Sequence, residues 1–172
     1  MCTRDMIIIL DKINTHTLSV IVDNKFGVLG RVVGMFTSRG YNIDSLTVAE
    51  VDENRNLSRI TVMVTGTEMV IEQIKAQLER IVPVRKEVDL NEEGEFVNRE
   101  LILVKVKAKG ERRVESLRVA DIFRARVIDS SGQSFIFELT GSSDKLNAFI
   151  NLMKPLGRVE VSRTGAVAIL RG

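Results

Sequence analysis

The fold is decided between residues 17 and 40, where the sequence reads TLSVIVDNKFGVLGRVVGMFTSRG. Apolar residues alternate through the first six positions, a pattern typical of a β-strand, and the turn formers Asp23 and Asn24 end it. From Val28 onward apolar residues recur every three to five positions, which predicts a helix over residues 27–39 with Gly40 as its left-handed stop. A strand is therefore followed directly by a helix.

The remainder of the first half repeats these signals in a diagnostic order. Alternating runs predict strands over residues 43–51 and 57–65, joined by a polar turn at 52–54. Thr67 is suited to cap a helix that Pro83 must end, and residues 84–90 predict a closing strand. Strand, helix, strand, strand, helix, strand packs as a four-stranded antiparallel sheet with two helices on one face, an α+β fold. We expect the open face to meet solvent, a ligand or another subunit, and the apolar residues on both sides of the first strand favour a subunit.

The second half repeats the first. The acidic stretch 91–97 predicts a linker, after which strands are expected at 101–106, 126–129, 134–139, 159–162 and 166–170. Helices are expected at 113–123 and around the apolar stripe from Leu146 to Met153. The sequence thus predicts two tandem ferredoxin-like (βαββαβ) domains over residues 15–90 and 98–172. Residues 1–14 are an N-terminal extension, whether a leader, an extra strand or a misassigned start, to which no function is assigned.

Composition excludes several classes of protein. Hydrophobic residues make up 44% and charged residues 28% of the 172 residues, which is ordinary for a globular protein with a core. Lys and Arg number 25 against 23 Asp and Glu, so no strong field attracts nucleic acid or an anionic membrane. Cys2 is the only cysteine, which excludes an intrachain disulfide and fits a reducing cytoplasm. The apolar run from Met6 to Leu10 is too short for a signal peptide or a membrane span.

Little in the sequence points to catalysis. A nucleophilic Ser or Cys needs a base, and the only histidine, His16, precedes the first strand, where a partly exposed structural residue is expected. The acidic residues cluster in the polar turns around 52–53 and 92–95, which is typical of a solvated surface. We therefore expect no catalytic residues and no metal site in this chain.

The most informative candidate site is the first turn from strand to helix, residues 23–30. The start of a helix presents unpaired backbone N–H groups and a positive partial charge, which suit a carboxylate or a phosphate. Gly27 lets a ligand approach the backbone, and Asn24 either donates to that ligand or caps the helix, the commoner use of such a residue. Both interpretations stay open. The glycine spacing matches neither the dinucleotide fingerprint nor the P-loop, and Gly30 and Gly34 are expected to serve helix packing.

An RNA-binding function is a weak alternative. Domains of this topology bind RNA by stacking bases on strand aromatics, but the strand at 58–65 has none. Phe135 and Phe137 alternate on a strand of the second domain, where we expect them to fill a core or an interface.

Several stretches resemble the small, regulatory subunit of acetohydroxyacid synthase, also called acetolactate synthase, within the ACT domain family. They are NKFGVLGRVVGMFTSRGYNIDSLTVAEVDE from residue 24, LSRITVMVTG from 57, VNRELILVKVKA from 97, IFRARVIDSS from 122 and RTGAVAILRG from 163. The resemblance covers the chain from about residue 16 to its end. It implies an ACT domain followed by a domain of related topology.

The resemblance also implies a function and a set of site residues. ACT domains of two copies would bind valine or a related amino acid at their interface and regulate a separate catalytic subunit, which holds thiamine diphosphate, magnesium and FAD. The implied binding residues are Asn24, Phe26, Gly27, Val28, Leu29, Asn42 and Ile43. Asn42 would act from the neighbouring chain, and Phe26 departs from the smaller or polar residues of the family, which bears on pocket shape. A free-standing amino-acid sensor that acts on another enzyme or on a transcription factor is the competing hypothesis.

Overall fold

The computed structural model describes residues 12–172. Most of the predicted N-terminal extension therefore lies outside the described residues, and the first strand already begins at Asn14 rather than at 17. Two compact units are present, the first comprising the described residues up to Val97 together with Ala168–Gly172, and the second Asn98–Val167. We use first domain for the elements within residues 14–93 and second domain for those within residues 96–170, of which residues 96–97 and 168–170 group with the first unit. Within residues 12–172, no helix has the length and apolar character needed to cross a membrane.

The first domain has the predicted order of elements. They are β1 (Asn14–Asp23), α1 (Val28–Ser38), β2 (Ser45–Asp52), β3 (Leu57–Gly66), α2 (Glu68–Glu79) and β4 (Val84–Asp89). The strands form an antiparallel sheet in the order β2-β3-β1-β4, so that β2 and β4 are the outermost strands among residues 12–172. Because side chains alternate across a strand, Leu18, Val20 and Val22 of β1 all enter the core beneath the helices. The fold is the predicted ferredoxin-like one.

The opposite face of this sheet is less apolar than the sequence pattern suggested. On β1 it carries Thr17 and Ser19, and the neighbouring position on β3 is Thr61, which lies opposite Ser19. These hydroxyl residues are nevertheless buried. Ile21 is the one large apolar side chain that β1 contributes there.

The second domain repeats the topology and adds a strand. Its elements are β5 (Phe96–Lys107), α3 (Glu111–Phe123), β6 (Arg126–Ser130), β7 (Ser134–Gly141), α4 (Ser143–Met153), a 3₁₀ turn (Lys154–Leu156), β8 (Arg158–Arg163) and β9 (Val167–Leu170). The sheet order is β6-β7-β5-β8, and β9 also pairs with β5. Phe137 and Phe149 meet edge to face with ring centroids 6.1 Å apart in its core.

The segment 91–97, predicted as a linker, contains most of a helical turn at Leu90–Glu93 and the first residues of β5, which begins at Phe96. The Asp89 side chain accepts a hydrogen bond from Asn91 N at 3.0 Å, which starts that turn. His16, expected to be partly exposed, is buried, with Nδ1 2.6 Å from Asp89 Oδ2.

Candidate ligand-binding site

The loop between β1 and α1 is anchored by an ion pair at its base. Asp23, the last residue of β1, is buried, and Arg85 Nε donates to its Oδ1 at 2.6 Å while Lys25 Nζ lies 3.2 Å from its Oδ2. The hydrogen bond from Arg85 lowers the pKa of Asp23, burial acts in the opposite direction, and Lys25 reinforces the lowering. The strand therefore ends at a charged carboxylate that already has its partners.

Asn24 is fixed through its backbone and keeps its side chain free. Its N–H donates to Asn56 O at 2.7 Å, and Asn56 Nδ2 donates back to Asn24 O at 3.1 Å. The Asn24 side chain is exposed and makes no hydrogen bond with any residue in the described range. Asn56 was missed from the sequence. Its polar turn was recognisable there, but nothing in the sequence indicated that the turn docks on Asn24, 32 residues away.

Gly27, rather than Asn24, occupies the N-cap position of α1. Its φ is +79° and an added Cβ meets no atom within 4 Å, so the backbone is open to solvent on this side. No side chain caps the helix and no acidic residue lies in its first turn. The interpretation of Asn24 as a simple helix cap is therefore wrong. Val28 N–H donates to Lys25 O at 3.4 Å. The start of α1 keeps the N–H groups of Leu29 and Gly30 and its positive partial charge for an external acceptor.

The residues next to Gly27 differ in which of their atoms a ligand can contact. The Val28 side chain is buried in the core, so only its backbone faces the loop. Phe26 is fully exposed and Leu29 is 41% exposed, which gives the rim of the site two apolar side chains that have no apolar cover in the described part of the chain.

Asn42 and Ile43 lie at the other end of α1. The helix has 11 residues and is therefore roughly 16 Å long. Asn42 Nδ2 donates to Asp44 Oδ1 at 3.0 Å, and Asn42 lines a separate cleft of about 420 Å³ with Tyr41, Thr65 and Thr67. Ile43 is partly buried against the core. A single chain thus brings together Asn24, Phe26, Gly27, Val28 and Leu29, and leaves Asn42 and Ile43 apart from them.

The aromatic pair that an RNA-binding function would need is not available. Phe135 and Phe137 are buried in the second core, with 7% and 0% of their surface exposed. The expectation that they fill a core is confirmed, and bases have no access to them.

Comparisons with known proteins agree across both domains. A model described as the AHAS small subunit-like ACT domain matches residues 18–86, and one described as the small subunit of acetolactate synthase matches residues 99–172. A probable acetolactate synthase small subunit from Archaeoglobus fulgidus is 46% identical over 157 residues, which cover 91% of this chain and 97% of the relative. The acetolactate synthase isozyme 3 small subunit of Escherichia coli is 44% identical over 156 residues, covering 90% and 94%.

A solved structure agrees as well. The crystal structure of the acetolactate synthase small subunit from Thermotoga maritima matches with a TM-score of 0.83 at 39% identity, covering 92% of this chain and 98% of that one. Both family models and relatives aligned over nearly their whole length point the same way. The chain therefore belongs to the family of acetolactate synthase small subunits, the regulatory chains of an enzyme whose catalytic activity resides in a large subunit.

Proposed function

We propose that this chain activates the catalytic subunit of acetolactate synthase and confers feedback inhibition by valine, or by another branched-chain amino acid, bound where α1 begins. The names of the relatives support acetolactate synthase as the enzyme that this chain regulates. The uncapped start of α1 supports an amino acid as the ligand, since it can accept a carboxylate. Thiamine diphosphate, magnesium and FAD belong to the catalytic partner in this proposal. The observation that carries the proposal is the open, uncapped helix start at Gly27.

The chemistry of the site fits the carboxylate of an amino acid. Backbone N–H groups at a helix start donate to an anion, and the Asn24 amide lies free beside them. Phe26 and Leu29 supply apolar surface for an aliphatic side chain. Because Asp23 is already paired with Arg85 and Lys25, its charge is partly neutralised and does not repel the carboxylate strongly.

The complete pocket requires two copies of the chain. Asn42 lies at the far end of α1, so the same chain cannot offer it to a ligand at Gly27. A two-fold axis beside α1 sets two copies of the helix antiparallel, which brings the start of one helix to the end of the other. Strand β2 is suited to this contact, because Val48 and Val51 on it are 40% and 50% exposed.

A ligand that bridges two copies favours one arrangement of the dimer and so regulates the catalytic partner. Coupling free energies of allostery are typically about 1 to 3 kcal/mol, which corresponds to roughly 5- to 150-fold in linked affinity. The proposed mechanism requires no covalent chemistry from this chain.

A mixed dimer tests the bridging geometry. The variants Asn24→Ala and Asn42→Ala each remove one hydrogen-bond donor to the ligand carboxylate, and as homodimers each should bind valine about 10-fold more weakly. Co-expressed with two different tags, they form a mixed dimer with one site lacking both side chains and one intact site. We expect this dimer to bind one valine with wild-type affinity and to restore partial inhibition of the catalytic subunit.

If both residues came from the same chain, the mixed dimer would have no intact site. Weakened binding at every site of the mixed dimer would therefore contradict the proposal. Asn54→Ala, in the exposed turn between β2 and β3, is the matched control and should leave valine affinity unchanged. Failure of the wild-type chain to co-purify with any synthase catalytic subunit would contradict the proposed partner and favour a free-standing sensor.

A further inference from the structure

A group of charged side chains in the first domain has no place in the proposed amino-acid site. It lies where β1, the start of α2 and the helical turn Leu90–Glu93 meet, and its only aromatic member is His16. The His16 side chain is 8% exposed and that of Asp89 is 1% exposed. The two are joined by the 2.6 Å contact between His16 Nδ1 and Asp89 Oδ2, while Asp89 Oδ1 accepts from Asn91 N.

The second ring nitrogen of His16 is directed at a further carboxylate. His16 Nε2 lies 4.0 Å from Glu68 Oε2, beyond hydrogen-bond distance. A neutral histidine that donates Nδ1–H to a buried carboxylate presents a lone pair at Nε2, which is the arrangement that orients histidine ligands in metal sites.

Glu68 belongs to a triplet of carboxylates on the same surface. Ligand oxygens of Glu68, Glu72 and Glu92 all lie within 4.8 Å of one another. Glu68 and Glu72 share a face of α2, and Glu92 approaches from the helical turn. Their side chains are 47%, 57% and 44% exposed, so an ion can reach them and they can adjust to it.

The negative charge in this region exceeds its positive partners. Lys75 Nζ lies 2.7 Å from Glu72 Oε1 and 2.6 Å from Glu92 Oε2, and it is the only ammonium that pairs with the triplet among the described residues. Glu87 on β4 adds a further carboxylate whose Oε1 is buried without a hydrogen-bond partner. Burial, together with Asp89, Glu79 and Glu92, raises the pKa of Glu87 to about 7 against the lowering effect of Lys75. An additional cation would relieve this excess.

We propose that His16 Nε2 and the carboxylates of Glu68, Glu72 and Glu92 form a binding site for a divalent transition metal ion. Asp89 orients the imidazole through its contact with Nδ1. One nitrogen and three oxygen donors suit Zn²⁺, Mn²⁺ or Co²⁺ better than they suit Ca²⁺. Donor atoms on one such ion lie roughly 3 to 3.5 Å apart when each bond is about 2.1 Å. An ion therefore requires the 4.0 Å between His16 Nε2 and Glu68 Oε2 to shorten and the triplet, whose oxygens lie within 4.8 Å of one another, to contract toward the imidazole.

A metal ion at this position competes with Lys75, which now holds Glu72 and Glu92 together. Binding links β1, α2 and the helical turn through one ion, and therefore favours the folded first domain. The proposal is independent of valine binding, since no residue of the triplet, nor His16, lies in the loop at residues 23–30.

Equilibrium dialysis of the untagged, metal-stripped full chain against Zn²⁺ and Mn²⁺ tests the site. We expect one ion per chain, with affinity at least about 10-fold lower for Glu92→Gln and for Glu68→Gln. Glu93→Gln, which removes the adjacent exposed carboxylate outside the triplet, is the matched control and should not change the affinity. Cys2→Ser should not change it either, since the thiol is not a proposed ligand.

His16 is the only histidine, so the ¹⁵N resonances of its imidazole report on its role without ambiguity. We expect the Nε2 resonance to shift on addition of Zn²⁺, to saturate at one equivalent, and not to shift in Glu92→Gln at the same concentration. Absence of stoichiometric uptake by the wild-type chain overturns the proposal. Equal losses of metal affinity in Glu92→Gln and Glu93→Gln also overturn it, as does an Nε2 resonance that is unchanged at saturating Zn²⁺.

Discussion

Gly27 is the residue on which the proposed ligand site depends. Its φ of +79° is rarely adopted by residues other than glycine, and the space beside its Cα is empty. Asp is among the residues that tolerate this conformation best, so Gly27→Asp should fold, at a cost of about 1 to 2 kcal/mol. Its carboxylate then lies where we expect the carboxylate of valine.

Gly27→Asp should therefore abolish inhibition by valine while activation of the catalytic subunit persists. Synthase assays on the reconstituted enzyme, with and without valine, measure both effects. Gly132→Asp adds the same charge at an open turn of the second domain and should remain fully inhibited. Full sensitivity of Gly27→Asp to valine would place the pocket elsewhere.

Asp23 makes a prediction about pH. Its pKa is lowered in the folded state, chiefly by the hydrogen bond from Arg85, so the pair stabilises the fold above the unfolded pKa of about 3.9. This stabilisation is lost as the pH falls through the folded pKa. Arg85→Met should therefore be less stable than wild type at pH 7, and the difference should shrink below pH 3.

Urea unfolding at pH 7 and at pH 2.5 measures this difference. Arg80→Met, which removes an exposed guanidinium next to the end of α2, is the control and should show no comparable dependence on pH. A stability difference for Arg85→Met that stays constant between the two pH values would mean that the ion pair contributes nothing.

At the scale of single elements, α2 illustrates how an apolar stripe sets stability. Ile71, Ile74 and Leu78 are at most 1% exposed, whereas Met69 on the same helix is 62% exposed. Leu78→Ala should lower the free energy of unfolding by about 2 to 5 kcal/mol, since it leaves a cavity in the core. Met69→Ala should change it by less than about 0.5 kcal/mol. Urea denaturation of both variants checks this, and similar losses would contradict the assigned face.

Elements with a strong local pattern were predictable from the sequence. The bounds of α1 and β3 differ from prediction by one residue at most, because periodicity and turn residues are local signals. The start of β5 was not predictable. Asn98, Arg99 and Glu100 interrupt the apolar alternation. Glu100 is buried with distant partners, since Arg163, 63 residues away, donates to it from Nε at 3.0 Å and Ser143 Oγ donates to its other oxygen.

The same distinction applies to the sites. The loop at residues 23–30 stood out because a glycine follows turn formers at the start of an apolar stripe. The burial of His16 could not be predicted from the sequence, because its partner Asp89 is 73 residues away and is brought to it by the pairing of β1 with β4. The anchoring of Asn24 by Asn56 likewise depends on two loops that meet only in the folded domain.

At the scale of the whole molecule, the proposal depends on two chains meeting through the edge of the first sheet. Val48 on β2 is 40% exposed on that edge, and Val127 on β6, the edge strand of the second sheet, is 46% exposed. Val48→Lys places a charge within the proposed interface and should shift the chain from dimer to monomer at micromolar concentration. Valine affinity should fall with it.

Sedimentation velocity measures the state of assembly. Val127→Lys is the matched control, because it adds the same charge to an equally exposed edge position of the second domain and should leave this dimer intact. A Val48→Lys chain that sediments as wild type and binds valine normally would exclude β2 as the interface.

In the proposed complex a branched-chain amino acid binds where α1 begins, between two copies of the chain. Calorimetric titration of valine into the isolated wild-type chain and into Gly27→Asp measures this binding. We predict saturable binding of one valine per chain by the wild type, and affinity lower by about 100-fold or more in the variant, in which two carboxylates would compete for one helix start. Equal affinity in the two chains, or no binding by the wild type, would contradict the proposal.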